Sequence, residues 1–210
     1  MCIIHLMLVI GLTGNYGMGK STVLPIFKKL GALTVDTDKI VKRLLTRKLI
    51  LKKIRSVFGK EVFNDDGSLN REKIADLVFT DDTMRRYLED ILHPVVFDEI
   101  ERYLKKRKNK YQIAIIEIPL LFERGYQDRF DQTIVIHTKE NVAIKRLENQ
   151  GINRERALMR LRSQIPIELK IEKADYLIDN NGAIQNTKAQ IKIIYEKLMK
   201  EVKNEYHQRT

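Results

Sequence analysis

The sequence predicts an α/β fold with a mainly parallel sheet. Three observations carry this. Strand-like apolar runs alternate with amphipathic helical stretches along the 210 residues. The first run, residues 7–12, ends in a glycine-rich turn that opens directly into a helical pattern. No internal repeat, low-complexity tract or Pro/Ser-rich linker interrupts the alternation.

The turn comes first because its chemistry is the most specific. Gly14, Gly19, Lys20 and Ser21 fit G-x-x-x-x-G-K-[ST], a loop that cradles phosphates. Glycines let backbone N–H groups close around an anion with no Cβ in the way. The helix beginning near Lys20 adds the positive end of its dipole. Residues Gly14, Asn15, Tyr16, Gly17, Met18, Gly19, Lys20, Ser21 and Thr22 are thus expected to hold nucleotide phosphates. Lys20 is suited to the β- and γ-phosphates and the Ser21 hydroxyl to Mg²⁺. Strand, loop and helix arrive in the required order, which a chance match would not supply.

The first helix is expected over 20–30, with Gly31 as its C-cap. Residues 32–35 read as a second strand ending in Asp36-Thr37-Asp38. From 39 to 108 the texture turns helical, with turns at Phe58-Gly59 and Asn64-Asp65-Asp66-Gly67. Asn70 is placed to cap a helix whose Ile74, Leu77 and Val78 share a face. Met84, Leu88, Ile91 and Leu92 continue the pattern, and His93-Pro94 is expected to break it before 95–104. This excursion is too long for a plain crossover and reads as a substrate-holding subdomain.

Residues 113–118 form a buried strand, followed by Pro119-Leu120-Leu121-Phe122-Glu123. Residues 132–137 are the next strand, with Thr138 expected to cap a helix over 139–149 and Gly151 to end it. A basic helical segment then carries Arg154, Arg156, Arg160 and Arg162. Residues 176–178 are a short last strand closed by Asp179-Asn180-Asn181-Gly182. An amphipathic helix over 184–206 should turn Ile184, Ile191, Tyr195, Leu198 and Val202 inward.

Composition bounds the function. Hydrophobic content of 43% and charged content of 32% suit a soluble globular chain, and no apolar run is long enough to span a bilayer. A single cysteine, Cys2, excludes an internal disulfide and fits a reducing cytoplasm. The apolar start lacks a basic leader and a cleavage site and runs into the phosphate loop, so it does not read as a signal peptide; Met7 is an alternative start. The excess of 39 basic over 28 acidic residues, net +11, fits either polyanion binding or a lysine-rich surface.

A phosphate loop says nucleotide but not reaction. In open α/β sheets ligands bind at the carboxyl ends of the strands. Asp36 and Asp38 lie just past the second strand, where a phosphoryl-transfer enzyme needs a carboxylate to accept the proton of an attacking hydroxyl. Turn and N-cap roles explain the same pair equally well. Arg146 and the arginines to Arg162 could bring positive charge over a transferring phosphate as a mobile lid, or form a solvated helical face. Glu117 ends a buried strand where an acid near Mg²⁺ or a backbone-bonded carboxylate would sit. Residues 105–110 read as a nucleic-acid patch or a solvated helix end, and His93 as a substrate ligand or a helix-end residue. No His/Cys cluster has metal-site spacing, and the absence of N-K-x-D argues against a switch GTPase.

Taken together these pieces resemble the dephospho-coenzyme A kinase family. The matching segments stand in family order: Gly11-Leu12-Thr13-Gly14 with Gly19-Lys20-Ser21-Thr22, then 35–40, Phe58-Gly59, 66–71, Val78-Phe79 and His93-Pro94. After them come 119–123, Arg146-Leu147, Gln164, Ala174-Asp175 and 178–182. The resemblance implies a phosphate-loop (P-loop NTPase) three-layer α/β fold with a five-stranded parallel sheet, plus helical substrate-binding and lid insertions. It divides the chain into a core of 1–38, 111–145 and 175–210, a helical coenzyme A-binding subdomain of 39–110, and a helical lid of 146–174.

The implied reaction is transfer of the ATP γ-phosphate to the ribose 3′-hydroxyl of dephospho-coenzyme A, with Mg²⁺, in the cytoplasm. Asp38 would be the base, Arg146 would stabilise the transferring group, and Thr13 would sit near the phosphates beside Lys20. Arg71, His93, Pro119, Leu120 and Leu121 would line the acceptor side with Asp38. The family loop usually reads Gly-Gly-Ile-Gly-Ser-Gly, whereas Asn15 and Met18 stand here at two of its positions. Where many members carry an arginine four residues after Arg146, this chain has Gln150, which leaves Arg154, Arg160 or Arg162 to serve the lid. Other readings are a different small-metabolite kinase on the same core, or a nucleic-acid-binding NTPase. The latter leaves Asp38 and the lid arginines without a role, so no nucleic-acid partner and no membrane partner is expected.

Overall fold

A computed structural model describes residues 7–208. Cys2 and the expectation for the apolar start before Met7 lie outside the described residues. The chain divides into two compact units: Met1–Asp36 with Leu104–Thr210, and Thr37–Tyr103.

The first unit holds five strands: β1 Leu8–Thr13, β2 Leu33–Asp36, β3 Ile113–Glu117, β4 Gln132–His137 and β5 Tyr176–Asp179. They form one sheet of order β2-β3-β1-β4-β5 in which every ladder is parallel. All five residues of β3 are buried, as expected where both faces of a parallel sheet are covered. Among the described residues there are nine α-helices: α1 Lys20–Lys29, α2 Thr37–Leu44, α3 Lys48–Phe58, α4 Arg71–Thr80, α5 Asp82–Lys105, α6 Glu140–Glu148, α7 Arg154–Arg162, α8 Ile167–Lys173 and α9 Ile184–Gln208. In the first unit α1 and α9 pack on each other and on the sheet, and α8 packs on β4.

The strand order sets the site. β1 is central, with β3 on one side and β4 on the other; the chain runs from β1 toward β2 on one side, and later from β3 across to β4 on the other. The carboxyl end of β1 is the switch point where such sheets open a ligand crevice. Parallel register brings Leu12 beside Glu117, and Glu117 beside Asp36, along that edge.

In the second unit Asn70 caps α4 as expected, its side chain accepting from the Lys73 N–H at 3.0 Å. A one-bridge turn pairs Phe63 with Leu69, and Arg55 stacks on Phe63 at 4.3 Å. Arg43, Arg47 and Arg102 converge on Glu99 at 2.8, 2.8 and 3.1 Å, and the Arg47 hydrogen bond holds that carboxyl below its usual range.

The structure corrects three local expectations. His93-Pro94 does not break a helix, because α5 runs through it. Proline removes one N–H donor and crowds one carbonyl, a cost of about 3 kcal/mol. Leu92, Val96, Phe97 and Ile100 are buried along the same helix, and their burial outweighs that cost. Thr138 does not cap α6: the N-cap is Lys139, without a side-chain bond, and the fully buried Thr138 hydroxyl faces the phosphate loop instead. On α9 Ile184 is exposed, while Ile194 joins Ile191, Leu198 and Val202 in the core.

Candidate functional site

The phosphate loop leaves β1 and enters α1 in a backbone path that only glycine tolerates well. Gly17 and Gly19 have φ of +78° and +99°. A Cβ on Gly17 would press on Leu147 at 2.8 Å, and one on Gly19 would land on the Asn180 amide nitrogen. The first N–H groups of α1 have no acceptor within the helix and lie at the end of this loop. Lys20 lies across it, its Nζ donating to the carbonyls of Gly14 at 2.8 Å and Asn15 at 3.3 Å. The loop's curvature, its helix start and its lysine thus fit the phosphates of a nucleotide. Ser21 and Thr22 are exposed in the first turn of α1, where a hydroxyl can reach a cation bound to those phosphates.

A second layer holds the loop in shape. Asn180 is buried; its Nδ2 donates to the Met18 carbonyl at 3.0 Å and its Oδ1 accepts from Thr187 at 3.0 Å. Thr138 Oγ1 bonds the same Met18 carbonyl at 3.2 Å. Arg146, in the last turn of α6, donates to the Asn180 carbonyl at 2.8 Å and lies beside Gly19. The predicted arginine therefore reaches the loop. The Asp179 carboxylate accepts the Asn181 N–H and is held below its usual pKa mainly by that bond. Asn180 was legible only as part of a matching segment; nothing local marks it as the residue that fastens Met18.

Thr13 is fully buried, and its hydroxyl donates to the Pro119 carbonyl at 3.3 Å. It ties the end of β1 to the start of the 119–123 segment. Within that segment Pro119 and Leu120 are partly accessible, but Leu121 is a core residue packed over Gly11 rather than a lining residue. The apolar end of β1, with no side chain at Gly11, draws it inward. Glu123 pairs with Lys170 of α8 at 2.6 Å, and the lysine side chain is 0% exposed. Burial pulls the Lys170 ammonium below its ordinary pKa, more than Glu123 raises it.

The other predicted site residues belong to the second unit. Asp38 is the second residue of α2 and is exposed. Arg71 opens α4, its Nη2 3.5 Å from the Lys42 carbonyl. His93 is half-buried in α5, and burial lowers its pKa against the pull of Asp90, which keeps the imidazole neutral at neutral pH. No helix among the described residues is long and apolar enough to cross a membrane, and no metal-binding group of His, Cys, Asp and Glu occurs among them.

A glycine-rich loop at the switch point of a five-stranded parallel sheet, crossed by its own lysine and reached by an arginine from another helix, defines a phosphate-loop nucleotide-binding protein. The comparisons narrow the class. The family model for dephospho-CoA kinase matches residues 8–186. A dephospho-CoA kinase of Aquifex aeolicus is 37% identical over 193 residues, covering 91% of this chain and 98% of that one. The crystal structure of a Thermus thermophilus protein is 30% identical with a TM-score of 0.80, covering 92% of this chain and 98% of that one. A dephospho-CoA kinase structure from Campylobacter jejuni is 29% identical, with a TM-score of 0.65 and the same coverage. This chain belongs to the dephospho-CoA kinase family.

Proposed function

We propose that this protein transfers the γ-phosphate of ATP to the ribose 3′-hydroxyl of dephospho-coenzyme A, giving coenzyme A and ADP. The observation that supports this most is the family match itself. It spans residues 8–186 and so takes in the phosphate loop, the helical insertion, the 119–123 segment and the lid. In this reading residues 39–110 hold the acceptor and 146–174 form the lid. Lys20 and the loop N–H groups bind the β- and γ-phosphates. Asp38 accepts the proton of the attacking hydroxyl, and Arg146 offsets charge on the transferring group. Arg71, His93, Pro119 and Leu120 line the acceptor side. Mg²⁺ would supply positive charge against the negative charge that develops on the transferring phosphoryl group. Ser21 would hold it, with Glu117 and Asp36 at the neighbouring strand ends. The substrates are small cytoplasmic metabolites, and no nucleic acid takes part.

The test measures ADP release with Mg²⁺-ATP, comparing dephospho-coenzyme A with adenosine, AMP and buffer alone. Turnover only with dephospho-coenzyme A, with the product phosphorylated on the 3′-oxygen, is expected. Asp38→Asn should keep ATP binding and lose most turnover. An ATP-binding protein that dephospho-coenzyme A does not stimulate would break the reading, and a fully active Asp38→Asn would remove Asp38 as the base.

A further inference from the structure

The basic segment after Arg146 carries several arginines, and the structure separates them. Arg154 is turned to Glu148 at 3.5 Å and is exposed, and Arg162 is exposed at the end of α7. Arg160 alone of these three is seen on the phosphate loop: its Nη1 donates to the Tyr16 hydroxyl at 2.8 Å, and its guanidinium carbon lies 4.9 Å from the Tyr16 ring centre. Two further bonds close on the same pair of loop residues. The Tyr16 N–H donates to Gln164 Oε1 at 2.7 Å, and Asn15 Nδ2 donates to the Ile165 carbonyl at 3.1 Å. The end of α7 and the turn after it therefore grip positions 15 and 16, two of the four free positions between the motif glycines.

We propose that Tyr16 is the positioning residue that docks Arg160 at the phosphate loop, making Arg160 the second arginine, with Arg146, to meet the ATP phosphates. This deepens, and rests on, the kinase reading above. A long arginine side chain is costly to order at the moment of reaction. A ring face and a hydroxyl that hold it beforehand remove that ordering from the chemical step. The planar guanidinium suits the task, since its donors lie on more than one edge and match phosphate oxygens.

The experiment measures steady-state kinetics and ATP and ADP affinities for Tyr16→Phe, Tyr16→Leu, Arg160→Met, Arg160→Lys and the Tyr16→Leu/Arg160→Met double variant. Tyr16→Leu should lower kcat roughly 10²-fold, as expected for a misplaced reacting group. Arg160→Met should lower it roughly 10²–10³-fold, with KM for dephospho-coenzyme A little changed. The double variant should lose no more than Arg160→Met, because the tyrosine acts through the arginine. Tyr16→Phe and Arg160→Lys should each retain part of the activity. Both full replacements should weaken ATP about tenfold more than ADP, as expected of a lost γ-phosphate contact. Losses that multiply in the double variant, kcat within threefold of the parent, or equal effects on ATP and ADP would overturn the proposal. A parent protein inactive on dephospho-coenzyme A would count against the kinase reading instead, and the ATP-against-ADP comparison would still decide the role of Arg160.

Discussion

Removing the buried charge of Lys170 should destabilise the first unit far more than removing the ion pair as a whole. The lysine side chain is 0% exposed, that of Glu123 is 12% exposed, and they meet at 2.6 Å. At an effective dielectric of about 20 their attraction is roughly 6 kcal/mol. Desolvating the two groups costs several kcal/mol each, so the intact pair is close to break-even. Lys170→Met keeps the bulk but leaves a largely buried carboxyl group without its partner, at a cost of about 3–5 kcal/mol. In a chain of 210 residues each kcal/mol moves Tm by about 2–4 °C, so Tm should fall by roughly 6–20 °C. Lys170→Met/Glu123→Leu should recover most of this loss, since apolar groups of similar size can replace a buried pair at little cost. Thermal and urea unfolding followed by circular dichroism would measure both variants. A single variant within about 0.5 kcal/mol of the parent, or a double variant no more stable than the single, would refute the argument.

Three further outcomes are expected. Arg146→Ala should cut kcat by roughly 10³-fold, and a change confined to KM would make it a binding residue only. Gly19→Ala should weaken ATP by at least about tenfold in calorimetry, because φ of +99° and the Asn180 amide both oppose a Cβ; unchanged affinity would show that the loop can shift. The Tyr176 hydroxyl, partly desolvated and donating to Glu201 at 3.0 Å, has its pKa raised from 10.0 to about 12. The folded chain then holds that proton at pH values where the unfolded chain has lost it. Its stabilisation is complete below pH 10 and is lost as the pH rises from 10 to 12. Stability measured across this window should fall less steeply in Tyr176→Phe.

The class of fold and the phosphate site were legible because both depend on near neighbours. Gly14, Gly19, Lys20 and Ser21 lie within eight positions, and the conformations they impose are set by local backbone sterics and a helix start. The three central strands β1, β3 and β4 were legible as apolar runs because a sheet covered on both faces needs little polar alternation. Asn70 was legible because a cap acts across three residues. Arg146 was readable as a cation near a lid, yet its seat on the Asn180 carbonyl, 34 positions away, was not.

What only the tertiary structure decided depends on partners far apart in the chain. Thr138 fits an N-cap by local rules, but packing buries it and turns its hydroxyl to Met18, 120 positions earlier. Pro94 fits a helix break, but the buried face of α5 carries the helix through it. Leu121 fits a ligand-lining run, but the missing side chain at Gly11 draws it into the core. Lys170 reads as one of many lysines until α8 places it, fully buried, against Glu123. Tyr16 and Arg160 meet across 144 positions. The sequence by itself determined the elements and the chemistry of the loop, because those are short-range. Which polar groups were buried, and which of them came to hold the loop, was settled by the packing of the helices on the sheet, because desolvation and hydrogen-bond partnership are properties of the assembled interior.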